Sequence, residues 1–558
     1  MKPANPPKET VAAVDTAALD ALFEPVNRGD APGLVVGIAL DGATVYRRGF
    51  GLASLEHGVA NTPWTRMRIG STSKHFASLA ALLLAEEGKL DVDAGARRWL
   101  PELRAPADPA HEPTLRQFMA HTSGLRDSLD VGFLASGMTI KPKGDSLAVQ
   151  ARQRDVNFAP GDRQIYNNGG YHLLALAIER AAGMPFEQFL AERLFDPLGM
   201  RDTRSVPSDF EIHPGMATMH VAQPDGGWRR GIFPSEEVRA EGAIVSTVDD
   251  MLRWLAHLRG PHVVGSAASW AQLKTPARLN NGTAHGYALG LQVEDYRGVE
   301  VIHHGGTVIG GTCQMLTVPA HALDVIIIAN GAPVSVSELA NRVVDIVLGD
   351  AALPRPAPAM AECERFRPLV GARYASPSAD MVFGFGDAGG KLGFVIHNSP
   401  PIPARAEAGA LFLEFARIVT GPYRVIAEPL AADAAAPDTL QLEDAGTMQT
   451  LARLPAAPPS AAQAGRALVG RYRAPDLDAD AEIALDGDAL RMRVAGVHGP
   501  NTMTLTPYSD DVFGWNFTGQ LAALGGTLAV ERRAGKVAGL RMNTLRTRHM
   551  HFVRVEEQ

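Results

Sequence analysis

The sequence predicts an α+β domain followed by two small antiparallel β-barrels, and three observations carry that prediction. Two strand-like runs, Leu34–Leu40 and residues 44–50, meet at Asp41-Gly42, a strong hairpin dipeptide. A long stretch of helical periodicity separates them from further strand-like runs at 287–293, 299–304, 312–318 and 325–329. An antiparallel sheet with a helical lobe inserted into it follows from that order. Beyond residue 350 the hexapeptide Leu369-Val-Gly-Ala-Arg-Tyr374 is echoed by Leu468-Val-Gly-Arg-Tyr472, each ahead of alternating strand patterns with Gly and Asp turns. Two related β units are therefore expected.

Taken in order, residues 11–22 place apolar side chains at helical spacing, and the Gly- and Pro-containing segment 27–33 ends that pattern. The helical lobe reads as segments 73–87, 114–120, 166–182, 186–195 and 247–257, and an amphipathic helix at Val336–Leu348 closes the first domain. Residues 350–368 are rich in Ala and Pro and read as a linker, and 456–464 as a second spacer. The expected units are 1–355, 356–460 and 461–558.

Composition narrows the function classes. With 558 residues, 46% hydrophobic and 20% charged, the chain is long and apolar enough for several packed cores. Its formal charge of −8 and singly scattered Lys and Arg give no basic footprint, so nucleic acid is not an expected partner. Cys313 and Cys363 are too few for a disulfide framework, and the histidines lack metal-ligand spacing, so neither metal nor cofactor is implied. The longest apolar run, near 77–85, is about half of a bilayer span, and no apolar signal segment follows the first charged residues. No membrane association is expected, and the cytoplasm is the default location.

Three segments carry chemistry. In Arg68-Ile-Gly-Ser71-Thr-Ser-Lys74, a helix start would put Lys74 one turn from Ser71, so that an amine touches the hydroxyl whose proton must leave. In Tyr166-Asn-Asn168, a phenol can relay protons beside a cation, and the amide can orient Lys74 and a substrate carbonyl. In His303-His304-Gly-Gly306-Thr307, glycines let a substrate backbone lie along a strand edge. There His304 is expected to bond the Ser71 or Tyr166 hydroxyl, and the Thr307 N–H to help hold an oxyanion.

Together, Ser71/Lys74, Tyr166/Asn168 and His304/Gly306 resemble the S-x-x-K, Y-x-N and H-x-G motifs of the serine β-lactamase and penicillin-binding superfamily. Met119-Ala-His-Thr-Ser-Gly-Leu125, Pro160-Gly161, Glu241-Gly-Ala-Ile-Val-Ser-Thr247 and Tyr287-Ala-Leu-Gly290 extend the resemblance over roughly 15–350. Over its whole length the chain is similar to the D-aminopeptidases of that superfamily, which carry two β-barrels after a β-lactamase-like catalytic domain. The resemblance implies an acyl-enzyme on Ser71, with Lys74 and a Tyr166 phenolate taking its proton, and a homodimer. It also implies a loop of the last barrel reaching the cleft, where an aspartate would receive the substrate's α-ammonium. At that place this chain has Asn501 and Thr502, which cannot supply the charge. The implied activity is release of N-terminal D-amino acids such as D-Ala from small peptides, amides or esters. Esterase, β-lactamase or D-Ala-D-Ala peptidase activity on the same scaffold, and a non-catalytic binding role, are the alternatives.

Overall fold

The computed structural model describes residues 14–556 apart from 358, 397–398, 408, 414–422, 428–429, 432 and 445. The first unit is built on a six-stranded antiparallel sheet in the order Gln292–Tyr296, Val299–Val308, Gly311–Val318, Leu323–Ala329, Leu34–Leu40, Ala43–Phe50. The first strand thus pairs with the last, and everything between Phe50 and Gln292 is an excursion from the sheet. Leu34–Leu40 and Leu323–Ala329 are buried along their whole length, because helices cover both faces. On one face Leu19 and Phe23 of Thr16–Phe23 pack with Leu339 and Val343 of Val336–Leu348. On the other, Phe76 and Leu79 of Lys74–Glu86 pack with Met251 and Trp254 of Val248–Arg259.

Local sequence explains the ends of these helices. Leu115–Met119 begins at a capping box formed by Thr114 and Gln117, and Asn167 caps Asn168–Ala182 by accepting from the Gly170 N–H at 2.8 Å. Gly183, at φ +69°, ends that second helix. The predicted helices all appear, with bounds shifted by three residues at most, except that the first, expected from residue 11, begins at Thr16; residues 11–13 lie outside the described residues. The strand expected at 287–293 begins only at Gln292, because the chain turns at Gly290, whose φ is +82°. Helices Ser128–Ser136 and Asp145–Arg152 were not legible in the sequence. The first is buried nearly all round, between the lobe and the last barrel, so its apolar residues show no single face.

The second unit is a nine-stranded antiparallel sheet whose outermost strands are Ile402–Pro403 and Arg405–Glu407. Only Ala404 separates them, so the sheet curls until its edges meet as a nearly closed barrel around Tyr374, Phe383, Phe394 and Val425. The third is a closed eight-stranded barrel in which Gly470–Ala474 pairs with Met550–Arg554. The echoed segments open the first strand of each unit, and their tyrosines, Tyr374 and Tyr472, are both buried.

The closed barrel is fused to the first unit through side chains. Val131, Leu134 and Val149 share one apolar core with Leu490, Met503 and Trp515. Arg126, fully buried, donates to the Arg548 carbonyl at 3.0 Å, the His549 carbonyl at 2.8 Å and the Asp476 carboxylate at 2.6 Å. Arg126→Met strands that carboxylate and both carbonyls, so it should lower the unfolding free energy by about 3 kcal/mol. Urea denaturation measures this, and a change below about 1 kcal/mol would mean that the barrel is held by apolar packing alone.

Candidate active site

Ser71 lies in the single 3-10 turn Gly70–Ser73 that feeds the helix Lys74–Glu86, so the predicted one-turn relation to Lys74 holds with a tighter first turn. That turn is pressed against the strand Val299–Val308. A Cβ at Gly306 would stand 1.8 Å from the Ile69 carbonyl oxygen, and one at Gly70, where φ is +55°, 2.8 Å from the Thr307 nitrogen. Only glycine permits either approach. Gly306 and Thr307 are thereby brought alongside Ser71.

Lys74 is fully buried, and its Nζ lies 3.0 Å from Ser71 Oγ, 3.0 Å from Asn168 Oδ1 and 2.7 Å from the Glu241 carbonyl oxygen. Burial drives its pKa down to about 7; the Glu241 carboxylate opposes that shift and Arg546 assists it. The amide and peptide carbonyls have no proton to give, so a neutral amine spends both N–H groups on them. Its lone pair then faces the Ser71 hydroxyl. Asn168 holds its oxygen toward Lys74 because its Nδ2 donates to Asp127 at 3.1 Å, and Asp127 also accepts from the Gly169 N–H at 3.0 Å.

Tyr166 is buried with its phenol beside the Ser71 side chain and Lys74 Nζ 4.7 Å from its ring centre. Burial holds its phenol above the ordinary range, so the phenolate expected from the sequence is not the resting form. Lys74 is the better base at neutral pH.

The expectation that His304 bonds Ser71 or Tyr166 does not hold. Its Nδ1 donates to the Gly305 carbonyl at 2.5 Å, which leaves Nε2 to accept from the Tyr287 hydroxyl at 2.8 Å. His121 Nδ1 accepts from the Asn167 N–H at 3.1 Å, and its Nε2–H donates to the Tyr287 oxygen at 3.1 Å. The resulting line, Asn167 to His121 to Tyr287 to His304 to Gly305, satisfies every member with both imidazoles neutral. His304 is thus a wall of the site rather than a group aimed at Ser71. Tyr287 and His121 belong to segments quoted for the resemblance, but sequence reasoning gave neither a role.

Asn501 and Thr502 are not brought to Ser71. Both lie in the barrel strand Gly499–Pro507, where Asn501 Nδ2 donates to the Phe133 carbonyl at 2.8 Å and the Thr502 carbonyl accepts from Thr518. A neutral amide fits a carbonyl near a helix end, and the strand's packing on Ser128–Ser136 leaves it there. The barrel reaches the site instead through the loop between Lys536–Asn543 and Met550–Arg554, which places the Arg546 guanidinium 5.3 Å from the Tyr166 ring centre. Beside Asn168 and Glu241 opens a pocket with Leu129, Phe133 and Phe233 on its apolar wall.

An activated serine beside a buried lysine, with an amide and a phenol converging on them, is the site of a serine acyl-transfer enzyme. The Beta-lactamase family model matches residues 19–348, and the chain belongs to that family. It is 29% identical to a D-aminopeptidase of Cereibacter sphaeroides over 97% of this chain and all of that one. It is 27% identical to a D-aminopeptidase of Brucella anthropi over 94% and 96% of the two chains. Among solved structures, the octameric penicillin-binding protein homologue of Pyrococcus abyssi has a similar fold (TM-score 0.54, 20% identity, 88% of this chain and 100% of that one). So does the D-amino acid amidase of Ochrobactrum anthropi SV3 (TM-score 0.51, 23% identity, 60% and 99%).

Burial holds His121 and His304 well below the ordinary imidazole value of 6.5, and His75 and His285 down to about 3 and 4. Burial opposes ionisation of His172, but the Glu241 carboxylate beside it outweighs burial and shifts it upward. With His220, His257, His262 and His549 also depressed, eight lowered imidazoles stand against the raised His172 and the raised carboxyls of Asp130, Asp250 and Asp444, so below pH 6.5 the unfolded chain binds more protons than the folded one. Stability therefore falls with pH in that range. Urea midpoints at pH 7 and pH 5 test this, and an unchanged midpoint would contradict the neutral-imidazole arrangement.

Proposed function

We propose that this chain is a serine hydrolase that releases N-terminal D-amino acids from small peptides, amides or esters through an acyl-enzyme on Ser71. The observation that supports it most is the Lys74 contact set, in which two proton-less acceptors leave the amine lone pair for the Ser71 hydroxyl. Lys74 takes the proton as Ser71 Oγ forms its bond to the scissile carbonyl carbon. The negative charge moves to the carbonyl oxygen, held by the backbone N–H groups of Ser71 and Thr307. Collapse expels the amine or alcohol, which takes a proton from Tyr166, and Tyr166 recovers it from Lys74. Water, deprotonated by Lys74, then attacks the acyl-serine, and Ser71 Oγ leaves with a proton. The D-amino acid specificity rests on the D-aminopeptidase relatives.

One observation favours a second reading. Asn501 and Thr502 pack inside the barrel contact, so the position expected to receive an α-ammonium is not in the cleft. Esters and amides without a free amine would then be accepted as well.

Ser71→Ala should abolish turnover of D-Ala-p-nitroanilide, and appreciable remaining activity would sink the proposal. The D-Ala and L-Ala anilides, together with N-acetylated D-Ala esters, separate the two readings by kcat/KM. A large loss on acetylation marks an aminopeptidase, and no loss an esterase. For either, kcat/KM should fall on the acid side of about pH 7, because the Lys74 ammonium cannot accept the Ser71 proton. A profile flat from pH 5 to 9 would rule out Lys74 as the base.

A further inference from the structure

The loop 544–549 is fixed from three sides before its arginine is considered. Asn157 donates to the Arg546 carbonyl at 2.8 Å and accepts from the Arg548 N–H at 2.7 Å. Arg126 holds the carbonyls of Arg548 and His549 at 3.0 and 2.8 Å. Arg548 itself donates to the Thr544 carbonyl at 2.7 Å and, in the first barrel, to the Asp380 carbonyl at 2.6 Å. The loop needs no further anchor. Nor is the Arg546 side chain placed like one: its Nη1 stands 3.8 Å from Asp127 and 4.0 Å from Asp130, beyond hydrogen-bond distance of either carboxylate. What it does face is the Tyr166 ring, which Lys74 also faces from 4.7 Å.

We propose that Arg546, delivered by the closed barrel, is a positioning residue of the active site whose positive charge keeps Lys74 in its amine form for the attack by Ser71. This rests on the reading of Ser71 and Lys74 as nucleophile and base.

The surroundings set the sign. Around the Lys74–Tyr166 pair stand the carboxylates of Glu241, Asp127 and Asp130, the neutral rings of His121 and His304, the Tyr287 phenol, Asn168, and the Arg546 guanidinium. Glu241 and Asp127 favour an ammonium at Lys74. Arg546 is the cation that opposes them: it shifts Lys74 and Tyr166 toward their deprotonated forms. Without it, Glu241 and Asp127 would act on Lys74 unopposed. Lys74 would then be protonated at the pH where it must accept a proton.

The test is the rate at which a fluorophosphonate labels Ser71, followed by mass spectrometry from pH 5 to 9 in the full-length chain. In Arg546→Gln the acid limb should move upward by about one pH unit, with about tenfold slower labelling at pH 6. Arg546→Lys, which keeps the charge, should restore the unaltered limb. A folded Arg546→Gln protein whose limb does not move overturns the proposal, even if its labelling is slower throughout. Should that variant fail to fold, Arg546→Met, uncharged and close to arginine in length, takes its place, and an unmoved limb there overturns the proposal equally. Failure of the parent reading shows separately, as absence of label on Ser71 in the unaltered chain, and takes the Arg546 assignment with it.

Discussion

The structure turns on one buried amine. Taking an ammonium out of water carries a large penalty unless a counter-charge touches it, and the three contacts of Lys74 are a hydroxyl, an amide oxygen and a peptide oxygen. The nearest carboxylates act from a distance: Glu241 presents its backbone to Lys74 and gives its side chain to His172 at 3.0 Å. Burial therefore wins over attraction, and the amine form prevails near neutrality. The remainder of the site serves to aim that amine.

Aiming it requires segments far apart in the chain. The sheet supplies the frame, because its first and last strands pair and so bring residues near 37 and 326 together around the helical excursion. Two close backbone approaches, at Gly70 and Gly306, then lock the nucleophile turn against the strand that carries Thr307. Asp127 turns Asn168, Asn168 turns Lys74, and Tyr287 joins two neutral imidazoles behind Tyr166. The closed barrel completes this shell. Its core is continuous with the helix Ser128–Ser136, and that helix carries Asp130, the carboxylate that accepts from Thr544 at the base of the Arg546 loop.

Much of this was legible in the sequence, for physical reasons that differ from residue to residue. Ser71 and Lys74 were readable because helical spacing fixes their relation locally, and Tyr166 and Asn168 because a capped helix start places them together. The strands were readable because Asp41-Gly42 and uninterrupted apolar runs have few other solutions. His304 was found, but its partner was not, because Tyr287 is seventeen residues away and the turn at Gly290 hides the contact. The barrel's reach into the site was expected from the wrong loop. Motif matching pointed to Asn501 and Thr502, whereas Arg546 sits among ordinary surface-like polar residues and gains its position only from contacts with Asn157 and Arg126 on another unit. Nothing in a one-dimensional pattern encodes that pairing.

The central claim is that Lys74 is uncharged when the site works. Carbon-13 NMR of lysine-labelled protein, with the Lys74 Cε resonance assigned by its loss in Lys74→Arg, measures that charge directly. The account predicts a titration midpoint near pH 7, roughly three units below an exposed lysine. A Cε resonance that keeps its ammonium position up to pH 10 would contradict it.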